Sequence, residues 1–126
     1  MILIVDDDLE MAENCSMFLE SQGFDVTIAC SGAEALEQIK IASPELLISD
    51  CAMPGMSGPE LSAHLKADPC TAQLPILLMS ASLRSHVAGC AQADAFLRKP
   101  FLAENLLLEV RQLLSQFSAP TIARHT

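Results

Sequence analysis

The sequence predicts a single α/β domain, a doubly wound fold whose five-stranded parallel sheet is covered by helices on both faces. Short apolar runs alternate with amphipathic helical patterns, β-α five times over. Each run is apolar on successive residues rather than alternate ones, as a strand buried on both faces must be. The chain has 126 residues, 51% of them hydrophobic, so one domain can build a full core.

The first run, Ile2–Val5, leads directly into Asp6, Asp7 and Asp8. A helix follows with Leu9, Ala12, Cys15 and Phe18/Leu19 on one face and Glu10, Glu13 and Glu20 opposite, stopped by Gly23. Val26–Ala29 is the second strand. Ser31 and Glu34 have capping-box spacing ahead of a helix carrying Leu36 and Ile39. Leu46–Ser49 is the third strand, ending at Asp50. The loop "MPGMSG" turns at Pro54-Gly55, and Gly58 leaves room where the next helix starts. That helix opens on Ser57 and Glu60, with Pro59 in its first turn, ahead of Leu61 and Leu65. Ile76–Met79 is the fourth strand, ending at Ser80. A poorer helix over about 83–91 is interrupted by Gly89. Ala95–Leu97 is a weaker fifth strand, leading to Lys99-Pro100. The last helix runs from about Leu102 to Phe117, giving a domain over 1–117, and 118–126 reads as a frayed tail or linker stub.

Composition excludes several functions. The net charge is -9 with only 7 Lys and Arg, which makes the chain a poor candidate for gripping nucleic acid or anionic lipid. No apolar run reaches membrane-spanning length, and the apolar start is too short for a signal peptide. Cys15, Cys30, Cys51, Cys70 and Cys90 are odd in number and lack Cys-x-x-Cys spacing, which fits reduced thiols in a cytoplasmic protein. His64, His86 and His125 lack metal spacing. Cys51 reads as a small buried hydrophobe. The chain starts directly on the first strand, as expected of a trimmed N-terminus.

In a parallel sheet of this kind the working site lies beyond the carboxyl ends of the strands. Those ends carry Asp6, Asp7 and Asp8 after strand one, Asp50 after strand three, Ser80 after strand four and Lys99 after strand five. Taken singly each is commonplace: an acid after a strand is usually a solvated loop residue or a helix N-cap, which is the plain reading of Asp8. Together they set carboxylates, a hydroxyl and an ammonium on one rim. Asp6, Asp7 and Asp50 offer hard oxygens that suit Mg²⁺, which would offset their mutual repulsion. A carboxylate beside Mg²⁺, a lysine and a hydroxyl is equipped to attack phosphorus.

With "ILIVDDD", "LLISDCAMPGMSGPEL", "LPILLMSAS" and "DAFLRKPF" in this order, the chain resembles the response-regulator receiver domains of two-component signalling over about residues 1–117. The resemblance implies the flavodoxin-like strand order 2-1-3-4-5. It makes Asp50 the phosphoacceptor, Asp7 a direct Mg²⁺ ligand and Asp6 an acid reaching the metal through water. Ala52 would give a backbone carbonyl to the metal. Ser80 and Lys99 would meet the phosphoryl group, Lys99-Pro100 would be cis, and Phe96 would be the aromatic switch. It implies a histidine kinase or histidine phosphotransfer protein as donor. An unidentified protein would read the face formed by the fourth helix, fifth strand and last helix.

Some residues depart from the family. Ala52 and Ser82, the positions that tune phosphoryl lifetime, are small and uncharged, and Gln92 replaces a frequent Gly before the fifth strand. No output domain is present, so both a single-domain regulator and a receiver from a longer protein remain open. On the last helix, Leu102, Leu106, Val110, Leu113 and Phe117 form the expected core stripe. Ala103, Leu107 and Leu114 form a flanking stripe, read as a partner or homodimer contact. Two rivals stand beside this switch: an aspartyl-nucleophile phosphatase or phosphotransferase, for which the chain lacks a lid, and a phosphorylation-independent binding module of the same fold. A flavin-binding relative is disfavoured, because no Gly- and hydroxyl-rich phosphate loop follows strand one.

Overall fold

The computed structural model describes residues 1–81 and 93–123, with side chains up to 116. Its elements are β1 (Ile2–Val5), α1 (Leu9–Ser21), β2 (Val26–Ala29), α2 (Gly32–Ile41), β3 (Leu46–Asp50), α3 (Gly58–Ala67), β4 (Ile76–Ser80), β5 (Ala95–Arg98) and α4 (Ala103–Ala123). The strands pair in the order 2-1-3-4-5, all parallel. The helix expected over 83–91 lies outside the described residues, as do Ser82, His86, Gly89, Cys90, Gln92 and His125.

The largest buried side chains explain the continuous apolar runs. Ile2, Leu3 and Ile4 of β1, Leu46, Leu47 and Ile48 of β3, and Ile76, Leu77, Leu78 and Met79 of β4 are all buried. Each such side chain taken from water contributes about 1.5–3 kcal/mol. Alternate residues serve opposite faces. Leu3, Val5, Leu47 and Leu78 pack with Ala35, Ile39, Leu61 and Leu65 under α2 and α3, where Cys51 is buried too. Ile2, Ile4, Ile48, Leu77 and Met79 pack with Ala12, Cys15, Leu19, Leu106, Val110 and Leu113 under α1 and α4.

The stop and start signals act as their chemistry requires. Gly23 takes φ 97°, its amide bonds the Glu20 carbonyl and the Phe24 amide bonds that of Leu19, which closes α1 in a Schellman turn. Ser57 and Glu60 make a complete reciprocal box at α3. At α2, Ser31 Oγ accepts the Glu34 amide, but the Glu34 carboxylate turns to the Cys30 amide instead, 2.7 Å away.

Three expectations are corrected. Leu9 is 49% exposed, because the first turn of α1 projects past the strand end before the helix settles on the sheet. Leu102 is 61% exposed: it precedes the first turn of α4 and contributes its carbonyl, which accepts from Asn105 and Leu106, rather than its side chain. Finally, α4 continues past Phe117 to Ala123. Ala119 and Ala123 are good helix formers, and helix runs on through Pro120 although a proline there removes one backbone donor and crowds the carbonyl four residues back.

Candidate functional site

β1, β3, β4 and β5 all end on one side of the sheet. β3 includes Asp50 as its last residue and β4 includes Ser80, so both are held on ladder rungs rather than on loops. Asp50 is in register with Met79, one residue before Ser80. Asp6 follows β1 and donates its amide to the Ala29 carbonyl, which fixes it beside β2.

The rim brings the predicted carboxylates together. Asp6, Asp7 and Asp50 each offer an oxygen, and the three oxygens lie within 4.8 Å of one another. Asp6 is 1% exposed and Asp50 is buried, while Asp7 faces solvent. Asp8 is the N-cap of α1, accepting from the Met11 amide at 3.3 Å, so its plain reading holds. The sequence alone did not reveal that the Asp8 amide also donates to Asp6 Oδ1, at 3.0 Å.

Lys99 reaches into this cluster from the end of β5. Its Nζ lies 3.1 Å from Asp50 Oδ1 and 3.7 Å from Asp6 Oδ2. Its own amide donates to the Ser80 carbonyl at 2.8 Å, which ties the end of β5 to the end of β4. The Lys99-Pro100 bond is cis. Ala52 follows β3 and is exposed, between the buried Cys51 and Met53. Phe96 sits on β5, half-buried against the cluster under α2 and α3.

The electrostatics follow from burial. Desolvation raises the Asp6 carboxyl above its ordinary value, with Asp50 and Asp7 pushing the same way; the Asp8 amide and Lys99 pull it back. Burial works against the Lys99 ammonium, but its hydrogen bond and attraction to Asp50, with help from Asp6, hold its pKa above the ordinary value. Cys15 lies beneath the pocket, its thiol pushed up by burial and by Asp6.

Asp6 Oδ2 is buried and has no hydrogen-bond partner among the described residues. An oxygen so placed calls for a cation or a cation-bound water. The hard carboxylate set fits Mg²⁺, whose ligands stand about 2.1 Å from the ion and include retained waters.

A sequence profile of the response regulator receiver domain matches residues 2–111. The chain belongs to the response regulator receiver domain family. It is 40% identical over 116 residues to the response regulator MprA of Mycobacterium ulcerans, covering 90% of this chain and 49% of that protein. It thus spans about half the length of the curated relatives it matches. The signal receiver domain of a signal transduction histidine kinase from Syntrophus aciditrophicus superposes with a TM-score of 0.87 at 33% identity, covering 93% of this chain and 91% of that one. The response regulator protein TrrA from Thermotoga maritima, solved in complex with Mg²⁺-BeF, matches with a TM-score of 0.82 at 28% identity, covering 89% of this chain and 96% of that one. This receiver domain therefore has the family's five-stranded fold with its acidic pocket, and no helix among the described residues is long and apolar enough to cross a membrane.

Proposed function

We propose that this receiver domain accepts a phosphoryl group on Asp50 from a histidine kinase or histidine phosphotransfer protein in the cytoplasm. The observation that carries the reading is the Lys99 ammonium 3.1 Å from Asp50 Oδ1, beside the carboxylates of Asp6 and Asp7. Asp50 supplies the nucleophilic oxygen, and the donor's bond to phosphorus breaks as the new one forms. Asp6, Asp7, Asp50 and the Ala52 carbonyl would hold Mg²⁺, with Asp6 acting through water. When bound, the ion offsets the charge of the carboxylates and phosphoryl oxygens. Lys99 is released from the carboxylate to meet a phosphoryl oxygen, and Ser80 meets another. The domain is a switch rather than a turnover enzyme, although it assists its own labelling and hydrolysis.

The shift of Ser80 opens space that Phe96 turns to fill. That reshapes the face that includes β5 and α4, which a downstream protein or a second copy reads. Residues 1–117 are the receiver unit and 118–126 lead out of it.

The test is incubation with acetyl phosphate and Mg²⁺, followed by intact mass. The wild-type chain gains one phosphoryl group and Asp50→Asn gains none. Labelling of Asp50→Asn to the same extent would sink the assignment, and sustained turnover of a phosphomonoester would favour an aspartyl phosphatase.

A further inference from the structure

At the opposite end of the sheet from the acidic pocket stands a second polar node. Lys66, near the end of α3, reaches across to β5. Its Nζ donates to the carbonyls of Leu74, at 3.0 Å, and Ala72, at 3.5 Å, and pairs with Asp94 Oδ2 at 2.9 Å. The same Asp94 oxygen accepts the Ile76 amide at 2.8 Å, while the Asp94 amide donates to the Ile76 carbonyl at 2.9 Å. The two side chains are only 18% and 22% exposed, so the pair is partly screened from water.

Among the described residues β5 is an edge strand, with β4 as its one strand partner. It is tied to β4 at both ends, by Asp94 on Ile76 at the start and by the Lys99 amide on the Ser80 carbonyl at the finish. Between these ties lie Ala95, Phe96, Leu97 and Arg98. A strand rises about 3.3 Å per residue, so a one-residue slip would carry Lys99 that far from Asp50. It would also turn Phe96 to the other face of the sheet.

We propose that Lys66 and Asp94 form a register pin for β5, and that Lys66 is a positioning residue acting through β5 on Lys99. The role rests on the reading of Lys99 as the group that meets the phosphoryl oxygens. The ion pair also ties α3, whose N-terminus packs against the phosphoacceptor's own carbonyl, to the strand that bears Lys99 and Phe96. The two ends of the switch are thereby held by one frame.

The test uses the full chain with Lys66→Met and Lys66→Arg, reading acetyl phosphate labelling, Mg²⁺-dependent stabilisation and amide hydrogen exchange. Lys66→Met slows labelling roughly tenfold, since displacing a reacting group by a fraction of its contact distance is costly. It also speeds exchange at β5 while β1 stays protected, and it leaves the stabilisation by Mg²⁺ intact. Lys66→Arg restores rate and protection. If Lys66→Met fails to fold, Asp94→Asn replaces it, keeping an oxygen for the Ile76 amide but no charge for Lys66; the same outcome is expected. Wild-type labelling rate in the variant, or a slowed rate with β5 exchange unchanged, overturns the pin. If the wild-type chain is not labelled at all, the phosphoacceptor reading fails instead. The pin is then decided by exchange alone, and unchanged β5 protection in both variants overturns it.

Discussion

Gly58 rests directly on the backbone of Asp50. A β-carbon added at Gly58 would overlap the Asp50 carbonyl oxygen and stand 2.9 Å from Cys51 Cα, and the Gly58 amide already donates to the Cys51 carbonyl at 2.9 Å. Backbone atoms cannot swing aside as a flexible side chain can. Gly58→Ala should therefore cost about 1–3 kcal/mol, as overpacking does. Urea unfolding checks this, and a midpoint unchanged from wild type would mean that the α3 start moves freely. Gly55 makes a useful control: its φ is 77° but nothing crowds it, so Gly55→Ala reports backbone strain alone.

Asp6 gives the domain a pH dependence of defined sign. Burial, first, and then Asp50 and Asp7 raise its carboxyl above 3.8 in the folded chain. Just above 3.8 the unfolded chain has released this proton while the folded chain keeps it. Stability from this group accordingly falls as pH rises through that window, and the penalty is complete once the folded carboxyl ionises. Asp6→Asn has no such proton. Its stability advantage over wild type, without divalent ions, should grow from acid toward neutral pH in a denaturation series. A difference that stays flat with pH would show that Asp6 is not desolvated.

Crowding of Asp6, Asp7 and Asp50 predicts how the chain answers Mg²⁺. An ion present at ten times its dissociation constant stabilises by about 1.4 kcal/mol if only the folded state binds it. Asp7→Asn should lose this response and, without the ion, be more stable than wild type, since a repelling charge is gone. Thermal unfolding with and without Mg²⁺ checks both. An undiminished Mg²⁺ response in Asp7→Asn would remove that residue from the site.

Much of this was legible because the sheet is parallel and doubly covered. Burial on both faces turns β1, β3 and β4 into unbroken apolar runs, and the position after each run marks the rim, so Asp6, Asp7, Asp50, Ser80 and Lys99 could be placed before any coordinates. Leu9 and Leu102 were misplaced because helical periodicity gives a side chain's angle about the axis. It does not say whether that turn still lies over the sheet. The end of α4 was missed because Pro120 and small polar neighbours read as a stop, yet helix continues through them. The Lys66–Asp94 pair was invisible because nothing local joins residues 28 positions apart.

Lys99, like Asp6, contributes stability that is lost as pH rises, but in an alkaline window. Burial pulls its folded pKa down, but the hydrogen bond and attraction to Asp50, together with Asp6, hold it above 10.5. The attraction is fully present below 10.5 and fades as pH rises through the folded value. Lys99→Met should cost about 1–2 kcal/mol at neutral pH, less than the loss of a fully buried partner because part of the pair is hydrated. The gap between variant and wild type should close at strongly alkaline pH, and Mg²⁺ should recover part of it at neutral pH. A variant as stable as wild type at pH 7 would mean that Asp50 and Asp6 tolerate each other without the ammonium.

On α4, Leu108 is 57% exposed, and the half-buried Leu107 and Leu114 continue the apolar surface beyond the buried Leu106, Val110 and Leu113. An isolated exposed leucine is ordinary, but several on one helix make a patch that water solvates poorly. If this patch joins two copies of the domain, sedimentation equilibrium should show association that strengthens with a Mg²⁺-dependent phosphoryl mimic. Leu108→Glu should weaken it at least tenfold, about 1.4 kcal/mol, by placing a carboxylate in an apolar contact. The charge stays in solvent in the monomer, so the variant should unfold at the wild-type midpoint. A wild-type chain that remains monomeric at high concentration in both states would assign the patch to a different partner.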